Sequence, residues 1–288
     1  TSPEVSIYFG KILRNWINNS CNLNKIVEIG SGTGSLIEQI GIKEITAIEL
    51  SSTAREELIN KGIMTHTNVN ELTLEKSELV FGNEILDNIP CSIGIYRDKV
   101  WYEKVVAIQE NSFSYDIKPI RNEELDWINK NNIVPNEDHE LEIQVNIDKF
   151  LNTVIKKISP KNILLFDYGY EQANREKRKY NSFLRTYKNH HLSVDPIEDP
   201  GNIDITYDVN FSSLSRELKT LGYDVTLKLQ RNFLLENGFD IIFDELQEKY
   251  LVADGMEKLK INSELNGLKA IVDSNGLGGF YCLNAQKL

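Results

Sequence analysis

A glutamate and three glycines stand close together near the start of the chain, in the segment Glu28-Ile29-Gly30-Ser31-Gly32-Thr33-Gly34. Glycines after a strand let the backbone approach a bound ligand closely, and the helix that follows turns its N-terminus toward that ligand. Such a loop suits phosphates and carboxylates alike. It therefore predicts a ligand pocket without identifying the ligand.

The acidic residue before the first glycine narrows the choice of ligand. A dinucleotide site has the pattern G-x-G-x-x-G/A after an apolar strand. Here Ser35 occupies the third position, the extra glycine is Gly34, and Glu28 stands where an apolar residue is expected. A carboxylate there can pair with an ammonium group, directly or through water, and S-adenosylmethionine (SAM) carries one. We therefore expect Glu28, Gly30, Gly32 and Gly34 to bind SAM rather than a nicotinamide dinucleotide.

Two later residues fit the nucleoside end of the same ligand. Glu49, nineteen residues after Gly30, ends the second predicted strand and is placed to accept hydrogen bonds from both ribose hydroxyls, as in SAM and NAD sites alike. Asn68 follows the third predicted strand, where an amide commonly contacts the adenine edge. The equal alternative for Asn68 is an ordinary turn rich in asparagine.

A polar cluster, Asn83-Glu84-Ile85-Leu86-Asp87-Asn88-Ile89-Pro90, follows the fourth predicted strand. Open parallel sheets place their chemistry at the carboxyl ends of strands, and methyl transfer depends on aligning an acceptor in line with the methyl group. A guanidinium is a poor nucleophile because its lone pair is delocalised. A carboxylate can localise the guanidinium charge on one nitrogen and orient the planar group. Glu84 and Asp87 are therefore the predicted catalytic residues and Asn83 a predicted cofactor contact. The alternative for Asp87 is that it caps a turn before Pro90.

Other polar residues at the carboxyl ends of the predicted strands give weaker indications of a function. Asp167-Tyr168-Gly169-Tyr170 ends the fifth predicted strand, where two phenols could line an acceptor channel or simply pack. His190 and His191 offer a general base, but no partner is visible in the sequence, so a loop role is favoured.

Strands that alternate with helices must position these residues. The pattern indicates an α/β fold with a Rossmann-like, seven-stranded, mostly parallel sheet of the class I methyltransferase type. Apolar runs predict its strands, the last of them antiparallel, at residues 25–29, 44–50, 63–66, 78–82, 162–168, 223–229 and 279–283.

Two long segments interrupt this alternation. About seventy residues separate the fourth and fifth strands, far more than a crossover helix needs. We expect a single methyltransferase domain over residues 1–288 with an inserted substrate lobe at 91–158, and a second insertion at 171–222 between strands five and six. The first insertion contains a predicted hairpin of residues 100–109 and 112–118.

Composition sets limits on partners and compartment. The 288 residues carry a formal charge of -11, which argues against nucleic acid because phosphate contacts need clustered Lys and Arg. The favoured interpretation of this charge is a solvated surface that keeps the protein in solution, and the alternative is a negative face that attracts a basic substrate. Cys21, Cys91 and Cys282 lack metal-ligand spacing, so we expect neither a metal site nor disulfides. No apolar run approaches the ~18 residues of a membrane span, and the start at Thr1 leads us to expect an earlier segment to have been removed.

The order of these motifs resembles the MidA-type methyltransferases, whose mitochondrial member is a complex I assembly factor and protein arginine methyltransferase. Segments that carry the resemblance are Thr1-Ser2-Pro3-Glu4-Val5-Ser6 with Phe9-Gly10, Val27 to Gly30, Asn83 to Pro90, Trp101-Glu103-Val105, Asp167 to Tyr170, Leu184-Arg185-Tyr187-His190, Asp195-Pro196, Pro200-Gly201 and Asp204-Ile205-Thr206. Ser31 and Thr33 depart from the Pro or Arg that this family often has around its glycine loop.

The resemblance implies a SAM site with Ser2 and Glu4 at its entrance, and a protein substrate with an accessible arginine, such as a complex I subunit. It implies a cytoplasmic protein in a prokaryote or a mitochondrial matrix protein in a eukaryote, not a secreted one, and leaves a homodimer open. Two alternatives remain: a SAM-binding assembly factor without catalysis, and a nucleotide-dependent oxidoreductase.

Overall fold

The computed structural model describes residues 1–21, 24–73, 76–110, 112–175, 182–188, 191–192 and 195–288. Its strands are β1 (Ile26–Ile29), β2 (Ile45–Ile48), β3 (Thr65–His66), β4 (Leu79–Asn83), β5 (Ser92–Arg97), β6 (Val100–Gln109), β7 (Ser112–Pro119), β8 (Glu140–Ile143), β9 (Asn162–Asp167), β10 (Gly169–Tyr170), β11 (Arg185–Lys188), β12 (His191–Leu192), β13 (Asp204–Thr206), β14 (Val209–Asn210), β15 (Tyr223–Leu229) and β16 (Tyr281–Lys287).

Its helices are α1 (Ser2–Val5), α2 (Tyr8–Ser20), α3 (Ser35–Ile40), α4 (Ser52–Asn60), α5 (Asn122–Lys130), α6 (Val145–Ile158), α7 (Gln172–Arg175), α8 (Phe211–Thr220), α9 (Gln230–Glu236), α10 (Phe239–Val252) and α11 (Gly255–Ala270). None of the helices in the described part of the chain combines the length and the apolar composition of a membrane span.

The chain forms two compact units. Unit 1 comprises residues 1–85, 152–168 and 218–288, and unit 2 comprises residues 86–151 and 169–217. The expected single domain over residues 1–288, with a substrate lobe at 91–158 and a second insertion at 171–222, stays a prediction.

Unit 1 contains the predicted seven-stranded sheet, in the order β15-β16-β9-β4-β1-β2-β3. Strand β16 runs antiparallel to both β15 and β9, and the other strand pairs that the structure describes in this sheet are parallel. This arrangement confirms the expected fold class and the antiparallel last strand. All four residues of β1 are buried, as in parallel strands covered on both faces. Between β15 and β16 lie α9, α10 and α11, a helical segment for which the sequence analysis predicted no elements.

Helix α2 shows how the sequence forms the helices that cover this sheet. Phe9, Ile12, Leu13, Trp16 and Ile17 recur at helical spacing and all are buried, so one apolar face of the helix covers the sheet. The core that they join includes Ile26 and Phe81 of the sheet, Leu36 of α3, and residues of α9, α10 and α11.

Unit 2 is built on an antiparallel sheet in the order β7-β6-β5-β8. The predicted hairpin is present as β6 and β7, whereas β5 and β8 were not predicted. A smaller core packs under this sheet, with Trp127 and Ile128 of α5 against Leu141 and Ile143 of β8.

Candidate functional site

The glycine loop lies between β1 and α3, and each of its glycines has a positive φ, at +71° for Gly30, +51° for Gly32 and +86° for Gly34. Side chains disfavour this left-handed conformation, which is why the loop needs glycine. A Cβ on Gly30 would lie 2.3 Å from Cγ2 of Ile85, whereas a Cβ on Gly32 would have nothing within 4 Å. The loop is therefore packed at its first glycine and open at its second.

Glu28 lies in β1, between strands β2 and β4 of the seven-stranded sheet, with only 2% of its surface exposed. Among the described residues, its Oε2 has no hydrogen-bond partner. Burial raises the pKa of Glu28 to about 8, opposed by a hydrogen bond from Ser31 and reinforced by the charge of Glu49. A buried carboxylate oxygen without a partner is costly, so a cationic ligand group at this position would relieve that cost.

Glu49 is held in place by backbone donors at the end of β2. Its Oε2 accepts the Gly32 N–H at 2.9 Å and its Oε1 accepts the Ser51 N–H at 2.8 Å. Each carboxylate oxygen has a second lone pair, so this fixed carboxylate still has acceptor capacity for two ligand hydroxyls. The contact with Gly32 also ties Glu49 directly to the glycine loop.

The residues of this loop therefore fit SAM. The unpartnered oxygen of Glu28 suits the ammonium group of the ligand, Glu49 suits the ribose hydroxyls, and Gly32 leaves space where a side chain would intrude. Among the described residues, no group of three or more His, Cys, Asp and Glu side chains could hold a metal ion. Cys21, Cys91 and Cys282 are free thiols.

Asn68 is engaged in a local turn. Its side-chain oxygen accepts the Asn70 N–H at 2.9 Å, and its amide nitrogen donates to Oε1 of Glu71 at 3.1 Å. These contacts are those of the asparagine-rich turn that was the alternative reading. A contact of Asn68 with adenine stays a prediction.

The turn after β4 carries Glu84 in a left-handed conformation, with φ of 52°. Its N–H donates to the Phe166 carbonyl at 2.8 Å. Oε1 of Glu84 accepts the Ser2 N–H at 3.3 Å and Nδ2 of Asn83 at 2.9 Å. Because Ile85 packs against Gly30, this turn lies directly beside the glycine loop. Oδ1 of Asn83 is buried with no partner among the described residues.

Asp87 belongs to unit 2 and is buried, with its Oδ1 accepting Nδ2 of Asn88 at 3.0 Å. The turn that carries it is closed by a hydrogen bond from the Ile89 N–H to the Leu86 carbonyl. The hydroxyl of buried Tyr207 donates to both the Leu86 and the Ile89 carbonyls, at 3.1 and 2.5 Å. Tyr207 was not singled out in the sequence, where its distance from Asp87 gave no signal.

The N-terminal helix α1 contributes to this site in a way that the sequence did not show. Ser2 is completely buried, and its hydroxyl contacts the side-chain amide of Gln230 at 3.1 to 3.3 Å. Glu4, by contrast, is 70% exposed and accepts the Thr1 amino group at 3.0 Å. Gln230 is a polar residue directly after β15, and its position at a strand end is the one signal that could have identified it.

The remaining predicted residues lie in different environments. Tyr168 stacks edge-on against Phe280 with ring centroids 5.4 Å apart, and Tyr170 of unit 2 is buried beside Phe183. These contacts match the packing alternative. His190 lies outside the described residues, and only the backbone of His191, in β12, is described.

Comparison with known proteins agrees with this geometry. Residues 10–227 match the family model described as "Putative S-adenosyl-L-methionine-dependent methyltransferase". Over 77 residues the chain is 40% identical to the protein arginine methyltransferase NDUFAF7 homolog, mitochondrial, of Caenorhabditis elegans; this match spans 27% of the chain and only 17% of that relative.

Two crystal structures from Burkholderia thailandensis share the fold at 22% identity. One, described as a superfamily member and "likely methyl transferase" bound to S-adenosyl-homocysteine, has a TM-score of 0.83 and is matched over 100% of this chain and 78% of its own. The other, of an uncharacterised member of the same superfamily, has a TM-score of 0.85 and is matched over 100% and 81%. Because the family model matches most of the sequence, the chain belongs to this family of SAM-dependent methyltransferases, with SAM as its cofactor.

Proposed function

We propose that the protein methylates an arginine side chain of a partner protein and that Glu84 holds the guanidinium. The observation that carries this proposal is the position of Glu84, whose turn packs on Gly30 of the cofactor loop through Ile85. Support for arginine as the acceptor comes from the printed name of the short, partial relative from Caenorhabditis elegans.

The reaction needs a positioned nucleophile more than it needs a strong base. Bound SAM supplies a methyl group activated by its positive sulfur. The Glu84 carboxylate would localise the guanidinium charge away from the attacking nitrogen and align that nitrogen with the methyl carbon. As the new N–C bond forms, the C–S bond breaks with its electron pair going to sulfur, and the substituted nitrogen then loses one proton to solvent.

Asp87 is the second proposed acceptor-side carboxylate. Its turn is fixed by the Tyr207 hydroxyl, which would limit the freedom of the carboxylate before any substrate is bound. Preorganisation of this kind reduces the cost of aligning reactants.

A second candidate function is that of a SAM-binding assembly factor without catalysis. The observation in its favour is that Oε1 of Glu84 already accepts two internal hydrogen bonds, from Ser2 and Asn83, a pattern that structural carboxylates also show. In that case partner binding, rather than methyl transfer, would be the function.

The Glu84→Gln variant separates the two candidates. Glutamine keeps an oxygen that can accept the Ser2 N–H but removes the charge, so we expect unchanged affinity for S-adenosyl-homocysteine and roughly a 100-fold loss of methyl transfer. The measurement is transfer of tritiated methyl groups to proteins of a cell extract, with the modified residue mapped by mass spectrometry.

The matched control is Glu57→Gln, the same change at an exposed position of helix α4. It should retain full activity. Wild-type activity in Glu84→Gln would exclude Glu84 as the acceptor-holding carboxylate. Absence of labelling by the wild-type protein, with intact cofactor binding, would favour the assembly factor.

A further inference from the structure

Helix α1 is anchored through a buried amide. Ser2 and Gln230 are both 0% exposed, and the Gln230 side chain contacts the Ser2 hydroxyl through both of its polar atoms. Nε2 of Gln230 also donates to the Ile271 carbonyl at 3.0 Å, and its backbone N–H donates to the Phe280 carbonyl at 2.7 Å. Gln230 is thus fixed from two sides and can in turn fix Ser2.

A second amide ties the same helix to the helix after the glycine loop. Nε2 of Gln39, in α3, donates to the Pro3 carbonyl at 2.6 Å, and its Oε1 accepts the Gly10 N–H at 3.2 Å. A Cβ on Gly10 would lie 2.3 Å from Cβ of Gln39, so the two backbones approach closely here. Helix α1 is therefore held at both Ser2 and Pro3.

The polar group that α1 presents to the site is the Ser2 N–H, which donates to Oε1 of Glu84 at 3.3 Å. The Ser2 hydroxyl, in contrast, points to Gln230. Glu84 itself sits on a left-handed backbone, with φ of 52°, a conformation that surrounding contacts must maintain. The Ser2 N–H, held by a fixed helix, is such a contact. It acts on the Glu84 carboxylate as well as on the turn that carries Glu84.

We propose that Ser2 and Gln230 are positioning residues for the Glu84 carboxylate rather than cofactor ligands. In this arrangement Gln230 fixes Ser2, and the Ser2 N–H fixes the direction in which Glu84 meets the acceptor nitrogen. The inference rests on the proposed function of Glu84 and adds two residues, 228 positions apart in sequence, that set its geometry.

A pair of substitutions at one position tests the inference. Ser2→Pro removes the N–H that reaches Glu84, and proline is tolerated in the first turn of a helix. Ser2→Ala keeps this N–H and removes only the hydroxyl. The acceptor in this test is the protein that the wild-type enzyme labels in a cell extract. With this acceptor we expect kcat of Ser2→Pro to be roughly 10-fold lower than that of the wild type. We expect the apparent KM for SAM and the Kd for S-adenosyl-homocysteine to stay within about twofold of wild type.

Ser2→Ala keeps the donor to Glu84 but loses the contact with Gln230. Its kcat should therefore fall less than that of Ser2→Pro, to about the level of Gln230→Met. A merely structural role would give the two variants similar activities in proportion to their melting temperatures. Gln230→Met keeps the size of the side chain but removes its hydrogen bonds, and it should lower kcat in the same direction as Ser2→Pro does. If Ser2→Pro does not fold, Gln230→Met tests the positioning role by itself.

Several outcomes would overturn the inference. Full kcat in Ser2→Pro, while Glu84→Gln is inactive, would show that Glu84 needs no donor from α1. Weaker binding of S-adenosyl-homocysteine by Ser2→Pro at an unchanged melting temperature would place Ser2 on the cofactor instead. An active Glu84→Gln variant would refute the proposed role of Glu84 itself, and this result is distinguishable because it does not involve Ser2.

Discussion

Burial of Glu28 in the central sheet gives this carboxyl an acid–base behaviour that an exposed glutamate lacks. Its pKa is raised from 4.5 to about 8, chiefly by burial. Folding therefore stabilises the protonated form. This contribution to the free energy of unfolding is complete below pH 4.5 and is lost as the pH rises toward about 8. A bound ammonium group would have the opposite effect, since it favours the ionised carboxylate.

We predict that binding of S-adenosyl-homocysteine, which carries the same ammonium group, releases a proton near pH 7. Glu28→Gln should abolish this release and weaken binding roughly 10- to 100-fold, because a charged hydrogen bond is lost. Calorimetry in buffers of different ionisation enthalpy measures both quantities. Glu57→Gln, exposed on α4, should leave them unchanged. Equal proton release by wild type and Glu28→Gln would contradict the assignment.

At the scale of the single residue, the sequence offered a prediction for the chemistry of Glu28 but none for its environment. The acidic residue before the first glycine indicated an ammonium partner. Its burial and its unpartnered oxygen depend on sheet neighbours from β2 and β4, which are distant in sequence. Asn68 shows the converse, since its amide is used by the turn that surrounds it.

The glycine loop shows how one element serves both folding and binding. Gly30 is packed against Ile85, whereas Gly32 faces open space, although both have positive φ. The two positions therefore have different reasons to be glycine. The first is a packing requirement within unit 1, and we propose that the second is a requirement of the ligand.

We predict that Gly30→Ala lowers the melting temperature strongly, because its Cβ would meet Cγ2 of Ile85 at 2.3 Å. Gly32→Ala should cost only about 1–2 kcal/mol of left-handed strain yet bind S-adenosyl-homocysteine weakly. Gly62→Ala is the matched control, since Gly62 has φ of +73° and also nothing within 4 Å of its Cβ. Thermal unfolding with and without S-adenosyl-homocysteine measures all three. Similar binding by Gly32→Ala and Gly62→Ala would remove Gly32 from the cofactor site.

Most elements of unit 1 follow from local patterns. Apolar runs of four to seven residues predicted the seven strands, and the antiparallel β16 was predicted as well. Strands β5 and β8 were missed because the polar residues Glu140 and Glu142 interrupt the apolar pattern of β8 and glycine interrupts that of β5. Their pairing in a sheet of unit 2 compensates for this weak local signal.

The charge of the whole molecule, -11 at pH 7, bears on the choice of partner. A negative protein attracts a basic acceptor over distances of about a Debye length, ~10 Å at 0.1 M salt. This long-range attraction is independent of the contacts made inside the site. It therefore affects acceptor encounter more than cofactor binding.

We predict that methyl transfer to a basic acceptor protein falls several-fold between about 0.05 and 0.5 M salt. The Kd for S-adenosyl-homocysteine should change much less, because its proposed contacts with Glu28 and Glu49 are short-range. Initial rates of tritium transfer and calorimetric Kd values at both salt concentrations provide the comparison. A rate that does not depend on salt would argue against a basic acceptor.

The sequence alone indicated the fold class, the glycine loop and the cofactor, because strand periodicity, glycine backbone geometry and the glutamate before the first glycine are local features of the chain. Tertiary structure decided which side chains meet. Gln230 reaches Ser2, and the Ser2 N–H reaches Glu84, through contacts between distant segments that leave no spacing pattern in the chain. Burial of Glu28 was decided in the same way, since it arises from the neighbouring strands and not from its own sequence context.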